Sequence, residues 1–412
     1  MLIRFLVVGL TIVLPFNLYA NGPLRSIVVF GNEKTERQTI LDIVNLESQT
    51  YVTERLVREV DDRLVNSGLF KTVHVTQTDN RDGTVDLRIV VTEKQLWFAF
   101  PIFQAWNGRY SGGAAFGESN LFVPNARTLI AIQGGNKLNR FFYVFDAKNV
   151  FGSSFSMRTW LLGRTDDVPL YQGKDKVDEI HMKDAAIALI PGYQWTNDIR
   201  TSLSFNYRYV DYGDSSFVAL SGEHGNDVSI KFEFTYDSLK RREAFLKGSS
   251  LRAGYEFAES RFGTDFSYHI EEVEWTSAFV ISNFVNYVIS LEGAIADKIL
   301  PFHRDLTLGG ASLRGYSERQ FRGDTRVTGR QDLLFPAYRH SKFSVFGLVF
   351  YDMGLIYRDT SGISRSAFRN GTGGGLRVSL TGILAPVFGL DFAYGIEDRK
   401  FQTYFALGLV EF

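Results

Sequence analysis

Of the side chains that could do chemistry, Arg314 has the most telling surroundings: it stands alone in Gly309-Gly310-Ala311-Ser312-Leu313-Arg314-Gly315-Tyr316. This segment fills part of a gap of about thirty residues between two strand-like runs, far more than a hairpin turn needs. A long loop with one cation among glycines suits a backbone that folds back and aims a single charge at a single target. The plainer alternative is a solvated surface loop. Signatures of catalysis are missing: there is no G-x-S-x-G elbow, no Lys-Ser/Thr after a glycine run and no H-E-x-x-H. His269-Ile270-Glu271 comes nearest to a metal or acid–base pair, but Glu271, Glu272 and Glu274 read better as polar positions of a strand. Gly371 to Gly375 could suggest a phosphate loop. No helix pattern follows it, so a strand kept small for close packing is the better reading. The expectation is a chain that is not an enzyme and uses no cofactor or metal.

The elements that must position Arg314 come from composition and periodicity. The chain has 412 residues, 15% of them aromatic, with 38 Gly but only 9 Pro, a mixture that suits many strands and tight turns. With 45 basic against 46 acidic residues it lacks the positive footprint that nucleic acid requires. Cysteine is absent, which excludes disulfides, thiol nucleophiles and cysteine metal sites. Residues 1–20 have Arg4, an apolar run from Phe5 to Phe16 and Ala20 as a cleavage residue. That run is too short to span a bilayer, so it is expected to be a signal peptide that is removed on export.

Residues 21–95 are expected to form a small α+β module. A strand around Ile27, Val28 and Val29 comes first, then a helix through Ile40, Ile43 and Val44 opened by a Thr35/Gln38 capping box. Thr53 caps a second helix carrying Leu56, Val57, Val60 and Leu64, and Gly68 stops it. Two strands follow, joined at Asp82-Gly83. Such a sheet keeps a partly open edge where another extended chain can add.

From residue 96 the period changes to two and stays there to the end. Ile199, Thr201, Leu203, Phe205, Tyr207 and Tyr209 share one face of a run while Arg200, Ser202, Ser204, Asn206 and Arg208 share the other. Runs of ten or so residues repeat for over 300 residues with no helical segment. After an export signal, this is the pattern of a transmembrane β-barrel, apolar toward lipid and polar toward the lumen. Counting runs gives roughly sixteen strands over 96–412. If the first rises from the periplasmic side, the polar stretch Arg164 to Glu179 and the Gly309 loop are both outer connections. Turns such as Trp195-Thr196-Asn197-Asp198 then come out short on the inner side.

Taken together these marks resemble the BamA/TamA-type outer-membrane assembly and translocation family, also called the bacterial surface antigen family. The resemblance covers nearly all of the mature chain. The first module resembles a POTRA domain, with Ser67-Gly68-Leu69-Phe70-Lys71-Thr72-Val73 in the expected place. Gly309-Gly310 and Leu313-Arg314-Gly315-Tyr316 match the family's glycine pair and its R-G loop. Phe350-Tyr351-Asp352-Met353-Gly354 matches its Asp-x-Gly strand, and Gly374-Gly375-Leu376-Arg377-Val378 matches the strand after it.

The resemblance implies an outer-membrane barrel with its single POTRA domain in the periplasm, inserting or translocating unfolded outer-membrane or secreted polypeptides. Outer-membrane lipid and a periplasmic protein on the POTRA domain are its other expected partners. It also implies that Arg314 tucks into the lumen and pairs with Asp352, holding the barrel or governing passage. Asp332 stands near the family's usual Glu, but Leu334 replaces its usual Arg, so no extended charge network is expected. Phe412 ends the last strand as an assembly signal. Pro101 removes an N–H where the first and last strands meet, which either weakens that seam for client strands or only marks a strand end. Alternative readings are a secretion pore for one dedicated partner, or a lipase-related barrel without its catalytic domain.

Overall fold

The computed structural model describes residues 22–47, 50–67, 69–93, 97–106, 108–119, 126–148, 150, 153–213, 224–242, 244–282, 284–297, 300–358, 368–380 and 386–408. The expected signal segment, Gly68 and Phe412 lie outside them. The chain divides after Glu93 into two compact units.

The first unit contains β1 (Gly22–Phe30), α1 (Arg37–Val44), β2 (Tyr51–Val52), α2 (Glu54–Asn66), β3 (Phe70–Asp79) and β4 (Val85–Glu93). Its sheet order is β2-β1-β4-β3, with β1 and β4 parallel. The helices' apolar stripes supply Ile40, Val44, Val60 and Leu64, all fully buried, as are Leu87 and Ile89 of β4. Thr53 caps α2 by accepting a hydrogen bond from the Leu56 amide at 3.2 Å. The Thr35/Gln38 capping box does not form. α1 begins at Arg37 with Glu36 at its cap and no side-chain cap bond, while the Thr35 amide donates to Glu93 at 2.5 Å. Among the described residues two edges stay open: β3 throughout, and β1 beyond Leu24, whose amide donates to the Thr50 carbonyl at 2.9 Å.

The second unit is a closed antiparallel barrel of sixteen strands. In chain order it begins with β5 (Trp97–Trp106), β6 (Arg109–Ser119), β7 (Ala126–Gly135), β8 (Leu138–Ala147), β9 (Phe155–Gln172), β10 (Asp175–Gln194) and β11 (Ile199–Tyr212). Then come β12 (His224–Asp237), its short continuation β13 (Lys240–Arg242), β14 (Phe245–Ala258), β15 (Tyr268–Ser282) and β16 (Val285–Ala296). A small ribbon of β17 (Leu306–Leu308) and β18 (Phe321–Gly323) precedes β19 (Thr325–Arg339), β20 (Phe343–Tyr357), β21 (Phe368–Leu380), β22 (Pro386–Gly395) and β23 (Lys400–Leu407). We call the end where β5 starts the near end and the opposite one the far end.

Alternation puts Phe205, Tyr207, Tyr209, Phe232 and Phe234 on the exposed outer face, as a lipid-facing surface requires. Near-end turns such as 195–198 are short. The stretch Arg164 to Glu179 departs from the expected loop: it is the far-end half of an unbroken hairpin, in which β9 has 18 residues and β10 has 20. Its charges pair with neighbours, Lys137 with Glu179 and His181 Nδ1 with Asp167 at 2.7 Å, so a polar stretch remains a strand. Closure comes from β23 against β5 through four register pairs among the described residues, Tyr404↔Trp106, Phe405↔Ala105, Ala406↔Gln104 and Leu407↔Phe103. Gly408 follows at φ +120°, a backbone turn only glycine takes without strain.

Candidate functional site: a lumen loop fastened across the barrel closure

The long connection between β16 and β19 enters from the far end and carries the Gly309–Tyr316 segment. Gly309, Gly310 and Gly315 have φ of 121°, 66° and 100°, so glycine is required at each. The Gly310 amide donates to the Tyr316 carbonyl at 3.0 Å, closing a tight loop around Arg314. Leu313, Arg314 and Tyr316 are all buried to within 1% of fully covered, and Leu313 packs with Leu308 and Tyr316.

Arg314 gives three donors to one carboxylate. Its backbone N, Nε and Nη2 reach Asp352 at 3.0, 2.7 and 2.6 Å. Nη2 also donates to Asp332 at 2.6 Å, and the guanidinium carbon lies 3.6 Å from the Phe350 ring centroid. Both paired carboxylates and the ring sit on β19 and β20, two adjacent strands with inward side chains at alternate positions. Nη1 makes no hydrogen bond and stands 3.9 Å from the Asp391 carboxylate. Asp391 is held by Arg377 at 2.5 and 2.8 Å. An extended charge network therefore exists, against the expectation from Leu334. Its second cation comes from β21 instead of position 334, where Leu334 packs beside Leu348, Phe350 and Tyr404.

Glycines make room for the loop. A Cβ on Gly371 would stand 1.9 Å from the Arg314 carbonyl oxygen, and one on Gly354 would stand 2.8 Å from Leu308. The glycine run of β21 is a strand pared down for close approach, in keeping with the lack of a helix pattern after it.

The same loop touches both closing strands. On β23, the Tyr404 hydroxyl accepts from the Gly315 amide at 3.1 Å and donates to the Tyr316 carbonyl at 2.8 Å. On β5, Trp106 Nε1 donates to Glu318 at 2.7 Å. Gln320 reaches Asp398 at 2.6 Å in the turn joining β22 to β23, and Tyr316 bonds Glu397 in that turn. Arg319 holds Asp166 of β9 at 2.9 Å. Pro101 is exposed and pairs in register with Ala114 of β6, two residues below Phe103, where the seam pairs among the described residues end.

Sequence reasoning reaches Gly309, Gly310, Leu313, Arg314, Gly315, Tyr316, Asp332, Asp352 and Gly354, and the structure brings all nine together. It misses Trp106, Glu318, Arg377, Asp391 and Tyr404. The only trace of Asp391 in the sequence is an acid at an inward position of an otherwise apolar run.

Residues 132–409 match the Omp85 superfamily domain. The chain belongs to the Omp85 superfamily. Residues 23–94 match a POTRA domain, described as a surface antigen variable number repeat. This Omp85 barrel is an outer-membrane protein. In fold it is similar to the Haemophilus ducreyi BamA lacking POTRA domains 1-3, at 15% identity and TM-score 0.61, over 94% of this chain and 84% of that one. It is also similar to CdiB from Acinetobacter baumannii, at 14% identity and TM-score 0.66, over 94% and 74% of the two chains. CdiB from Escherichia coli gives 12% identity and TM-score 0.65, over 94% and 76%. No curated protein matches the chain by sequence.

Proposed function

We propose that this Omp85 protein inserts unfolded polypeptides into the outer membrane or translocates them across it, working at the closure between β5 and β23. The observation that carries this reading is that the lumen loop holds both closing strands from inside, Trp106 of β5 through Glu318 and Tyr404 of β23 through Gly315 and Tyr316. The strand edges exposed by parting β5 from β23 would pair with an extended client. The POTRA-like module stands in the periplasm in this reading, and the open edges of β1 and β3 receive the client first. Arg314 fixes the loop that spans the closure from inside. Strand templating needs no covalent step, so no catalytic residue or cofactor is invoked.

The test is reconstitution. Vesicles containing the purified protein should convert an added urea-unfolded outer-membrane barrel into a protease-protected, folded form several times faster than empty vesicles. A secretion pore for one dedicated partner would leave that client unfolded and would instead retain its own partner through purification.

A further inference from the structure

The inner wall of this barrel is not uniformly polar. Residues paired across strands share a face, so facing can be followed round the barrel from a known inward residue. Arg208 pairs with Ala186, Ala186 with Leu162, and Leu162 with Phe142. Likewise Asn206 pairs with Ala188, Ala188 with Trp160, and Trp160 with Val144. Trp160 and Ile190 line the same cavity, about 280 Å³, as Arg158, Arg200 and Ser204. The inward positions of β8, β9 and β10 are thus apolar through the middle of the wall, whereas β11 and β12 present Arg200, Asn206, Arg208, Lys231 and Glu233. Phe142, Val144, Trp160 and Leu162 remain partly exposed.

The apolar wall reaches the seam. On β5, Phe98 and Phe100 stack at 5.1 Å, and Phe98 lies over Gly117 of β6 so closely that a Cβ there would meet its ring at 2.1 Å. A water-filled lumen gives no reason for such a surface, because each apolar group left against water costs about 25 cal/mol per Å². Contiguous exposed apolar surface marks a binding site.

Charge tells what binds. At the near end, one or two positions below the apolar residues, Arg127, Lys148, Arg158 and Arg200 lie within electrostatic reach of one another or of shared neighbours. Asp146 and Glu233 are the acids among them, and Arg158 Nε donates to Asp146 at 3.3 Å. Among these six groups the cations outnumber the acids four to two, and Arg127 and Lys148 are exposed.

We propose that the inner face of β7–β10 binds an anionic phospholipid of the surrounding membrane, its acyl chain along Phe142, Trp160 and Leu162 and its phosphate at the Arg127–Arg158–Arg200 collar. It enters through the closure beside β5. This rests on the seam reading only for the entry route; the site itself stands on the inner wall.

Phe141 and Phe142 supply the test, because neighbours on a strand face opposite sides and Phe141 is 41% exposed on the outer face. A photoreactive benzoylphenylalanine is placed at either position in the full chain. The protein is reconstituted in vesicles of three parts phosphatidylcholine to one part phosphatidylglycerol and irradiated, and adducts are identified by mass. Position 141 should capture both lipids in their bulk ratio. Position 142 should capture lipid enriched about fivefold in phosphatidylglycerol, the preference one cation near an anionic headgroup gives. The enrichment should fall toward the bulk ratio in Arg158→Gln/Arg200→Gln, with heat-modifiable migration confirming a folded barrel. Capture of no lipid at 142, capture in the bulk ratio, or adducts only with this chain or with a peptide would each overturn the proposal. Insertion activity in the reconstitution above is scored separately, so a dry inner wall in an active protein, or a lipid-bearing one in an inactive protein, distinguishes the two readings.

Discussion

Arg314 binds Asp352 through both its side chain and its own backbone amide, so one carboxylate fixes the position of the loop as well as its charge. The pair is closed to solvent, with Asp352 fully buried. Removing one partner of such a pair typically costs about 3 to 5 kcal/mol, because it strands the other charge. Arg314→Ala and Asp352→Ala should each lower the yield of heat-modifiable barrel in membranes, and the double variant should lose less than the sum of the two. Additive losses would mean that the two residues act separately.

Gly371 offers a test that leaves every charge in place. Since a Cβ there would stand 1.9 Å from the Arg314 carbonyl, Gly371→Ala must displace the loop or the strand. It should reproduce the Arg314→Ala defect in barrel yield. Gly163→Ala is the control, because nothing lies within 4 Å of that Cβ, and its yield should match the unaltered protein.

Trp106 and Tyr404 tie the loop to the two sides of the seam. Trp106→Phe removes the donor to Glu318, a hydrogen bond to a charged group worth about 1.5 to 3 kcal/mol, while keeping an aromatic ring. Tyr404→Phe removes both bonds to Gly315 and Tyr316. Each variant should fold yet show more frequent open events in planar-bilayer conductance recordings. Unchanged gating in both would show that the loop does not restrain the closure.

In the first unit, the Arg25 guanidinium holds the Asp86 carboxyl well below the usual carboxylate range, with Ser26 and Asn80 adding hydrogen bonds at 2.7 and 3.1 Å. A carboxyl lowered on folding stabilises the module above its unfolded value of about 4, and that contribution is lost as pH falls through the lower folded value. Amide exchange in β1 and β4, corrected for intrinsic rates, should accelerate below about pH 4. Asp86→Asn should show the faster exchange already at neutral pH, with less dependence on acid.

Much of the fold is legible in the sequence, for a physical reason. A lipid-facing wall forces strict alternation, so Phe205 and Phe232 announce an outer face and Arg208 an inner one. The Gly309–Tyr316 loop is legible through its glycines, which mark backbone that no other residue can follow. Arg164 to Glu179 reads wrongly as a loop because its charges mask a short apolar face: Val168 and Leu170 are buried with Ile180 and Met182 of the facing strand, and cross-strand charge pairs add to that hold. The network through Arg377 and Asp391 is hidden because it depends on strands β21 and β22 meeting β20 in the barrel, and because the expected cation position holds Leu334, an apolar residue. The apolar inner wall does leave a trace, in the unbroken run Phe141-Phe142-Tyr143-Val144-Phe145, where alternation fails because both faces are greasy.

The central claim is that work is done by parting β5 from β23, and a reversible lock tests it most directly. The chain has no cysteine, so Ala105→Cys/Phe405→Cys places a lone pair on residues that stand opposite each other across the seam. Opposed antiparallel residues lie about 4.5 to 5.5 Å apart at Cα, within the reach of a disulfide. Measured in reconstituted vesicles, client insertion should fall to the empty-vesicle rate when the pair is oxidised and recover on reduction. Full activity with the disulfide formed would contradict the account.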